Sequence, residues 1–284
     1  MTDSVLITGC STGFGLETAL QLAGRGFRVY ATVRDLSCRA DVEQAAAERG
    51  VELRLLRLDV TDPDSIREAI DTVVEESGGI YAVVNNAGLL IRGYFEDLDE
   101  AEIRQVLETN LFGTMAVTRA VLPHMRRAGR GRVVVLTSVA GRIGAPTGCA
   151  YSASRFAQEG FAESLYQELL PLGIQVVLLE PGIARTQRWK IDRGAARRAR
   201  DPQSPYRTWF QRAEQLFDEA MDASPISGAD VARTVTRALT ARRPRIRYVV
   251  GRRAALIIAL RRYLPGQWFD RLYFNEVIRR VTKP

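Results

Sequence analysis

Tyr151 and Arg155 stand four residues apart in a stretch with helical patterning, so their side chains share one face. A phenol beside a permanent cation is a proton-transfer device. At a separation of about 4 Å and an effective dielectric of about 20, the cation stabilises the phenolate by ~4 kcal/mol. Such a group works as a general acid or base on an oxygen that gains or loses a proton. Ser138 follows the apolar run Arg132–Thr137, where its hydroxyl can hydrogen-bond the same oxygen as charge develops. Near the other end of the chain lies Thr8-Gly9-Cys10-Ser11-Thr12-Gly13-Phe14-Gly15-Leu16. Glycine permits a tight turn and lets phosphate oxygens approach the backbone. A helix that follows presents free N–H groups and its positive dipole end to those oxygens. Taken alone, the same run is also an ordinary strand-to-helix turn; its place at the first strand–helix junction favours nucleotide binding.

The elements needed to bring these groups together can be read along the chain. Val/Ile/Leu-rich runs predict strands at Ser4–Thr8, Arg28–Thr32, Glu52–Leu58, Ala82–Asn85, Arg132–Thr137, Ile174–Leu179 and Arg247–Val250. Helical patterns fall between them, at about 14–25, 40–49, 63–77, 100–128, 150–171 and 228–241. This alternation predicts an α/β fold: one doubly wound, parallel, seven-stranded sheet in three layers, with ligands beyond the carboxyl ends of the strands. Two stretches break the rhythm, an arginine- and aromatic-rich segment at 183–227 and a C-terminal extension at 252–284. We expect a single domain of residues 1–284, with the first segment as a lid over the substrate and the second as a helical tail.

The motifs resemble the short-chain dehydrogenase/reductase family, whose glycine-rich turn is spaced TGxxxGxG. Asp59-Val60 follows the third strand. Asn85-Asn86-Ala87-Gly88 ends the fourth and is similar to the family's NNAG. Asn110 lies in Glu108-Thr109-Asn110-Leu111-Phe112-Gly113, Ser138 ends the fifth strand, and Tyr151 opens the next helix. Pro181-Gly182 and Thr186 match PGxxxT. The matches keep the family's order and spacing over residues 4–186. The resemblance implies a Rossmann fold and an oxidoreductase that moves hydride between a nicotinamide cofactor and a ketone, an aldehyde or the matching alcohol. It implies Asn110, Ser138, Tyr151 and Arg155 as the catalytic set. It implies Gly9, Ser11, Thr12, Gly13, Phe14, Gly15, Arg34, Asp59, Val60, Asn86, Ala87, Gly88, Tyr151, Arg155, Pro181, Gly182, Ile183 and Thr186 as cofactor-binding. Asp59 and Val60 would hold the adenine, and Thr186 with the backbone after Gly182 the carboxamide.

The end of the second strand bears on the nucleotide. A carboxylate there would bind a ribose 2′-OH and repel a 2′-phosphate. The aligned position is the uncharged Val33, and Arg34 follows it, placed to clamp a 2′-phosphate. NADP(H) is therefore expected over NAD(H). The alternative is that Arg34 is one more surface arginine and Asp35 takes the ribose.

Arg155 departs from the family, which has lysine there. Guanidinium keeps the electrostatic role but is planar, bulkier and effectively never deprotonated, so proton shuttling and ribose contact change. Of 40 basic residues only Lys190 and Lys283 are lysines, which supports an active enzyme that uses arginine throughout. A substitution that weakens turnover and traps ligands is a second reading. A binding protein for NADP(H) with a sensing or scaffold role is the rival from another class.

The opening turn and Tyr30-Ala31-Thr32-Val33-Arg34-Asp35 look like the 17β-hydroxysteroid and retinol dehydrogenase branch, which implies a hydrophobic steroid-, retinoid- or lipid-like substrate. Candidate substrate contacts are Ser138, Val139, Cys149, Tyr151, Trp189 and Trp209. The aromatic lid residues Trp189, Tyr206, Trp209, Phe210 and Phe217 suit either substrate binding or packing of the lid onto the sheet.

The net charge of +7 is concentrated: residues 185–262 hold 19 basic and 7 acidic residues, and no acidic residue occurs between Asp230 and Asp270. With no nucleic-acid motif, a solvated basic face is the expectation. The tail interleaves Arg252, Arg253, Arg261 and Arg262 with large apolar residues; it could lie on an anionic membrane or cap the pocket or a dimer interface, with packing preferred. Three cysteines, Cys10, Cys38 and Cys149, fit neither a metal nor a disulfide framework, and no leader is evident, so a reduced cytoplasmic protein is expected. Members of the family associate through helices equivalent to 100–128 and 150–171, which implies a homodimer or homotetramer.

Overall fold

The computed structural model describes residues 2–185 and 194–282. Seven parallel strands form one sheet in the order β3-β2-β1-β4-β5-β6-β7. They are β1 (Ser4–Ile7), β2 (Arg28–Val33), β3 (Arg54–Arg57), β4 (Ala82–Asn85), β5 (Gly131–Leu136), β6 (Ile174–Pro181) and β7 (Arg247–Val250). The strand order reverses between β1 and β4, which opens a crevice at their carboxyl ends.

Alternation along the strands divides the core between two faces. Ile7, Ala31, Val84, Leu136 and Leu179 face one layer, built from α1 (Gly13–Ala23), α2 (Arg39–Glu48) and α8 (Gly228–Thr240), through Leu22, Val42 and Val235. Leu6, Tyr30, Val83, Val135 and Leu178 face the other, built from α3 (Pro63–Ser77), α5 (Gly113–Ala128) and α6 (Cys149–Leu169), through Ile70, Val121 and Leu165. Helix ends follow local chemistry. Asp62 caps α3 by accepting from the N–H groups of Asp64 and Ser65, and Pro63 sits where no N–H is required. Gly78 ends that helix with φ +75°, the left-handed conformation glycine adopts without steric cost.

The single helix expected at 100–128 is instead two. α4 (Glu100–Leu107) and α5 are joined by a π-helical turn at Glu108–Phe112. The extra residue in that turn releases the main-chain carbonyl of Asn110 from the regular helical ladder. The helix expected at 150–171 ends at Leu169 and closes with a 3₁₀ turn over Leu170–Leu172.

The segment after β6 contains α7 (Arg207–Asp222), which was not expected there as a helix. Its start is stitched to the body: Arg92 N–H donates to Gly194 O at 2.7 Å and Ala196 N–H donates to Arg92 O at 2.8 Å. The tail forms α9 (Arg252–Tyr263), a short α10 (Gly266–Phe269), a π-helical turn at Asp270–Phe274 and α11 (Asn275–Thr282).

Candidate active site

The glycine-rich turn sits at the crevice between β1 and β4. Gly9 and Gly13 have φ of +72° and +65°. A Cβ on Gly9 would lie 2.9 Å from Ala87 Cα, and one on Gly15 would lie 2.3 Å from Gly9 O. The turn is thus a close approach of backbone to backbone that only glycine allows. Asn86 braces it: its Nδ2 donates to Thr8 O at 2.8 Å and to Gly9 O at 2.9 Å, while the N–H groups of Asn86 and Ala87 donate to Thr8 Oγ1. Helix α1 starts directly after, with no side-chain cap from Thr12 and no acidic residue in its first turn. Its first N–H groups are left to an anion, which suits the pyrophosphate of a dinucleotide. Cys10 inside the turn is inert, since burial pushes its thiol up to about 12.

At the end of β2, Val33 is buried and its carbonyl accepts from Leu58 N–H. Asp35 is already used: its Oδ1 accepts from Ser37 N–H at 2.8 Å, and that bond holds the carboxyl below its usual range. Arg34 is exposed and makes no ion pair among the described residues. At the end of β3, Asp59 accepts from the N–H and hydroxyl of Thr61, and Val60 packs where a Cβ on Gly113 would lie, 2.7 Å from its Cγ2.

The residues expected to be catalytic come from three elements. Ser138 follows β5; its Oγ accepts from Ala140 N–H at 3.1 Å, which leaves the hydroxyl hydrogen free to donate. Tyr151 lies in the first turn of α6, partly exposed, and its hydroxyl has no partner among the described residues. The guanidinium carbon of Arg155 is 4.8 Å from the centre of the Tyr151 ring. Arg155 is 6% exposed; its Nη1 donates to Leu136 O at 2.9 Å and to Gln158 Oε1 at 2.8 Å, and its Nε has no partner. Gly88 makes room for it, because a Cβ there would lie 2.6 Å from Arg155 Nη2. Among the described residues no carboxylate pairs with Arg155.

Asn110 sits in the π-helical turn, fully buried. Its Oδ1 accepts from Leu89 N–H at 2.7 Å, and its Nδ2 donates to Leu89 O and to Ser154 Oγ, both at 2.9 Å. The carbonyl released by the turn accepts from Gln158 Nε2 at 2.6 Å and from Thr114 Oγ1 at 2.7 Å. A buried chain therefore runs from Arg155 through Gln158 to the Asn110 carbonyl. Sequence reasoning missed Gln158; its only signal was its place three residues after Arg155, on a face packed against α4 and α5.

Beyond Ser138 lies an ion cluster, also missed, whose carboxylates are buried and whose arginines reach the surface. Arg142 Nη1 is 3.1 Å from Glu180 Oε1, and Arg247 Nε is 3.0 Å from Glu159 Oε2 and 3.4 Å from Glu180 Oε1. Thr137, the neighbour of Ser138, donates to Glu159 Oε1 at 2.8 Å. Burial and the nearby Glu159 carboxylate raise Glu180 to about 7, against the pull of Arg142 and Arg247.

An apolar cavity of about 350 Å³ lies between the loop Gly144–Cys149 and the tail, walled by Pro146, Cys149, Phe274 and Val277. Trp209 packs against Tyr94 and Tyr206, whose rings stack at 4.7 Å. Phe210 is fully buried, and Arg92 lies over the Phe210 and Phe217 rings. Those aromatics hold α7 to the body. Ile183 is exposed, and its carbonyl accepts from Ser224 Oγ; Gly182 N–H donates to Val250 O. Thr186 and Trp189 lie outside the described residues.

The chain matches the family described as short chain dehydrogenase over residues 3–195. It is a short-chain dehydrogenase/reductase. As a member it is an oxidoreductase of hydroxyl and carbonyl groups. The enzyme is 37% identical over 268 residues to "17-beta-hydroxysteroid dehydrogenase type 1" of Homo sapiens, covering 90% of this chain and 80% of that protein. It is 35% identical over 273 residues to "Retinol dehydrogenase 8" of Bos taurus, covering 93% and 86%. Among solved structures, a short-chain dehydrogenase from Streptomyces avermitilis superposes over 100% of both chains with a TM-score of 0.78 and 30% identity.

Proposed function

We propose that this dehydrogenase uses NADP(H) to reduce a hydrophobic ketone or aldehyde, or to oxidise the matching secondary alcohol, with Tyr151 as general acid and base. The observation that carries this reading is the unpaired, buried Arg155 guanidinium held 4.8 Å from the Tyr151 ring. A cation so placed lies over the face of the ring, and at this burial its field is weakly screened.

Gly9, Gly13, Gly15 and the open start of α1 fit the pyrophosphate, and Arg34 fits a 2′-phosphate because Asp35 is engaged with Ser37. Gly88, Ala87, Val60, Pro181, Gly182 and Ile183 complete the proposed cofactor cleft. When bound, the nucleotide supplies or accepts the hydride. The chain does the rest: the Tyr151 hydroxyl gives its proton to the substrate oxygen while the Ser138 hydroxyl donates a hydrogen bond to it. Asn110 and Gln158 hold the π-helical turn and the guanidinium in place. Because guanidinium does not release protons, Tyr151 is recharged from solvent, to which it is partly open. The apolar cavity beside Cys149 supports a steroid-, retinoid- or lipid-like substrate.

The same reading puts the enzyme in the cytoplasm as a homodimer or homotetramer paired through the helices over 100–128 and 150–171, on which Phe112 and Phe156 are exposed. The test is NADPH oxidation with a panel of hydrophobic ketones, repeated with NADH and with Tyr151→Phe. Turnover that survives Tyr151→Phe, or a preference for NADH, would sink the respective half of the proposal.

A further inference from the structure

The tail exposes more large apolar surface than its own folding explains. Leu256, Leu260 and Tyr263 recur at i, i+4 and i+7 on one face of α9 and are 59%, 40% and 78% exposed. Trp268 and Leu272 continue the exposed surface at 61% and 66%. The apolar residues that hold the tail together are other ones. Phe269 is buried and stacks on Tyr273 at 5.2 Å, with Phe274 edge-on at 5.5 Å. Ala254 fastens α9 to the body where a Cβ on Gly182 would lie 2.9 Å away, and Val281 buries the far end.

Interleaved with the exposed apolar residues are the exposed Arg252, Arg253, Arg261, Arg262 and Arg271. None of the five forms an ion pair among the described residues. Arg261 instead lies over the Phe269 and Phe274 rings, and Arg262 over Tyr263. α9 has 12 residues, and no described helix is long and apolar enough to cross a bilayer. A stripe of Leu and Tyr flanked by unpaired guanidiniums, on a helix too short to span, matches the chemistry of a bilayer interface. A second copy of the chain is a poor occupant, because a two-fold contact through this face would set arginine against arginine.

We propose that α9 and the turn after it form a docking surface for an anionic phospholipid bilayer, with Leu256, Leu260, Tyr263 and Trp268 in the acyl boundary and the arginines at the headgroups. This inverts the preference for packing that composition alone suggested. The docked face adjoins the apolar cavity through Phe274 and Val277, so a lipid-soluble substrate would meet the cavity close to the membrane. Docking itself does not depend on which reaction the enzyme performs.

The test is flotation of the full chain on phosphatidylcholine vesicles, with and without about one-third phosphatidylglycerol. The chain is expected to float with the anionic vesicles, to stay behind with neutral ones, and to be released by high salt. Removing three charges together (Arg252→Gln, Arg253→Gln, Arg262→Gln) should weaken partitioning about 100-fold. Leu256→Ser with Leu260→Ser should weaken it at least about 10-fold. All these positions are exposed, so melting temperatures should stay within a few degrees. A blue shift of Trp268 emission on adding anionic vesicles, lost in Trp268→Phe, reads insertion without altering the docking arginines. Three results would overturn the proposal: an unsubstituted chain that fails to float at low salt, variants that float like it, or Leu256→Glu dissociating an oligomer while flotation is unchanged.

Discussion

Two buried arginines, Arg92 beneath α7 and Arg155 beside Tyr151, are treated in opposite ways. Arg92 is neutralised: its Nη2 lies 2.7 Å from Glu214 Oε1, which ties α7 to the body. Arg155 has no carboxylate, only Leu136 O, Gln158 Oε1 and the face of Tyr151. A buried pair serves attachment, since removing one partner strands the other charge. A buried cation left unpaired costs stability and keeps its field for whatever comes beside it. In a cleft, such an arrangement marks function. Helix α7 is thus held by compensated charge, while the charge of Arg155 is met only by neutral acceptors and the Tyr151 ring.

The contrast can be broken most sharply at Tyr151. Tyr151→Phe should lower kcat about 1,000-fold with NADPH affinity nearly unchanged, as read by steady-state turnover beside cofactor fluorescence titration. Next, the two arginines should respond in opposite senses. Arg92→Met should lower stability by about 3 kcal/mol in denaturant unfolding, because among the described residues Glu214 then keeps only the exposed Arg200 at 3.3 Å. Arg155→Met should leave the melting point equal or higher and still cost turnover; a large loss of stability there would remove the distinction. Arg155→Lys should retain turnover.

A smaller effect is expected at the nucleotide. Arg34→Glu should raise the KM for NADPH about 30-fold while sparing NADH, since one charge-assisted clamp is exchanged for repulsion. The smallest effect concerns pH. Glu180, raised to about 7 from an ordinary 4.5, adds stability that is fully present below about pH 4.5 and is lost as pH rises through about 7. The melting temperature should therefore decline over that interval, and Glu180→Gln should flatten the slope. An unchanged slope would show that the cluster of Glu159, Glu180, Arg142 and Arg247 titrates otherwise.

Much of the fold was legible locally. Asp62, Pro63 and Gly78 bound α3 at the residues expected, and the strands β4 and β7 fall where β-rich runs ended at polar or glycine residues. The break in the helix at 100–128 was not legible, because one inserted residue barely disturbs an apolar periodicity while it frees a carbonyl. Gln158 reads as an ordinary polar helix residue; only the packing of α6 on α4 and α5 buries it between Arg155 and Asn110. Helix α7 was obscured by the abundance of arginine around it, although its Phe210 does fall on the packed face.

What depends on spacing along the chain could be read directly: the sheet's alternation, the glycines of the first turn, and a phenol and guanidinium sharing a helix face. Tertiary structure alone decided which of 40 basic residues were buried, which were paired and which were left facing outward. Distance along the chain explains this. Arg92 and Glu214 meet across 122 residues, and nothing local distinguishes a guanidinium that will find such a partner from one that will not.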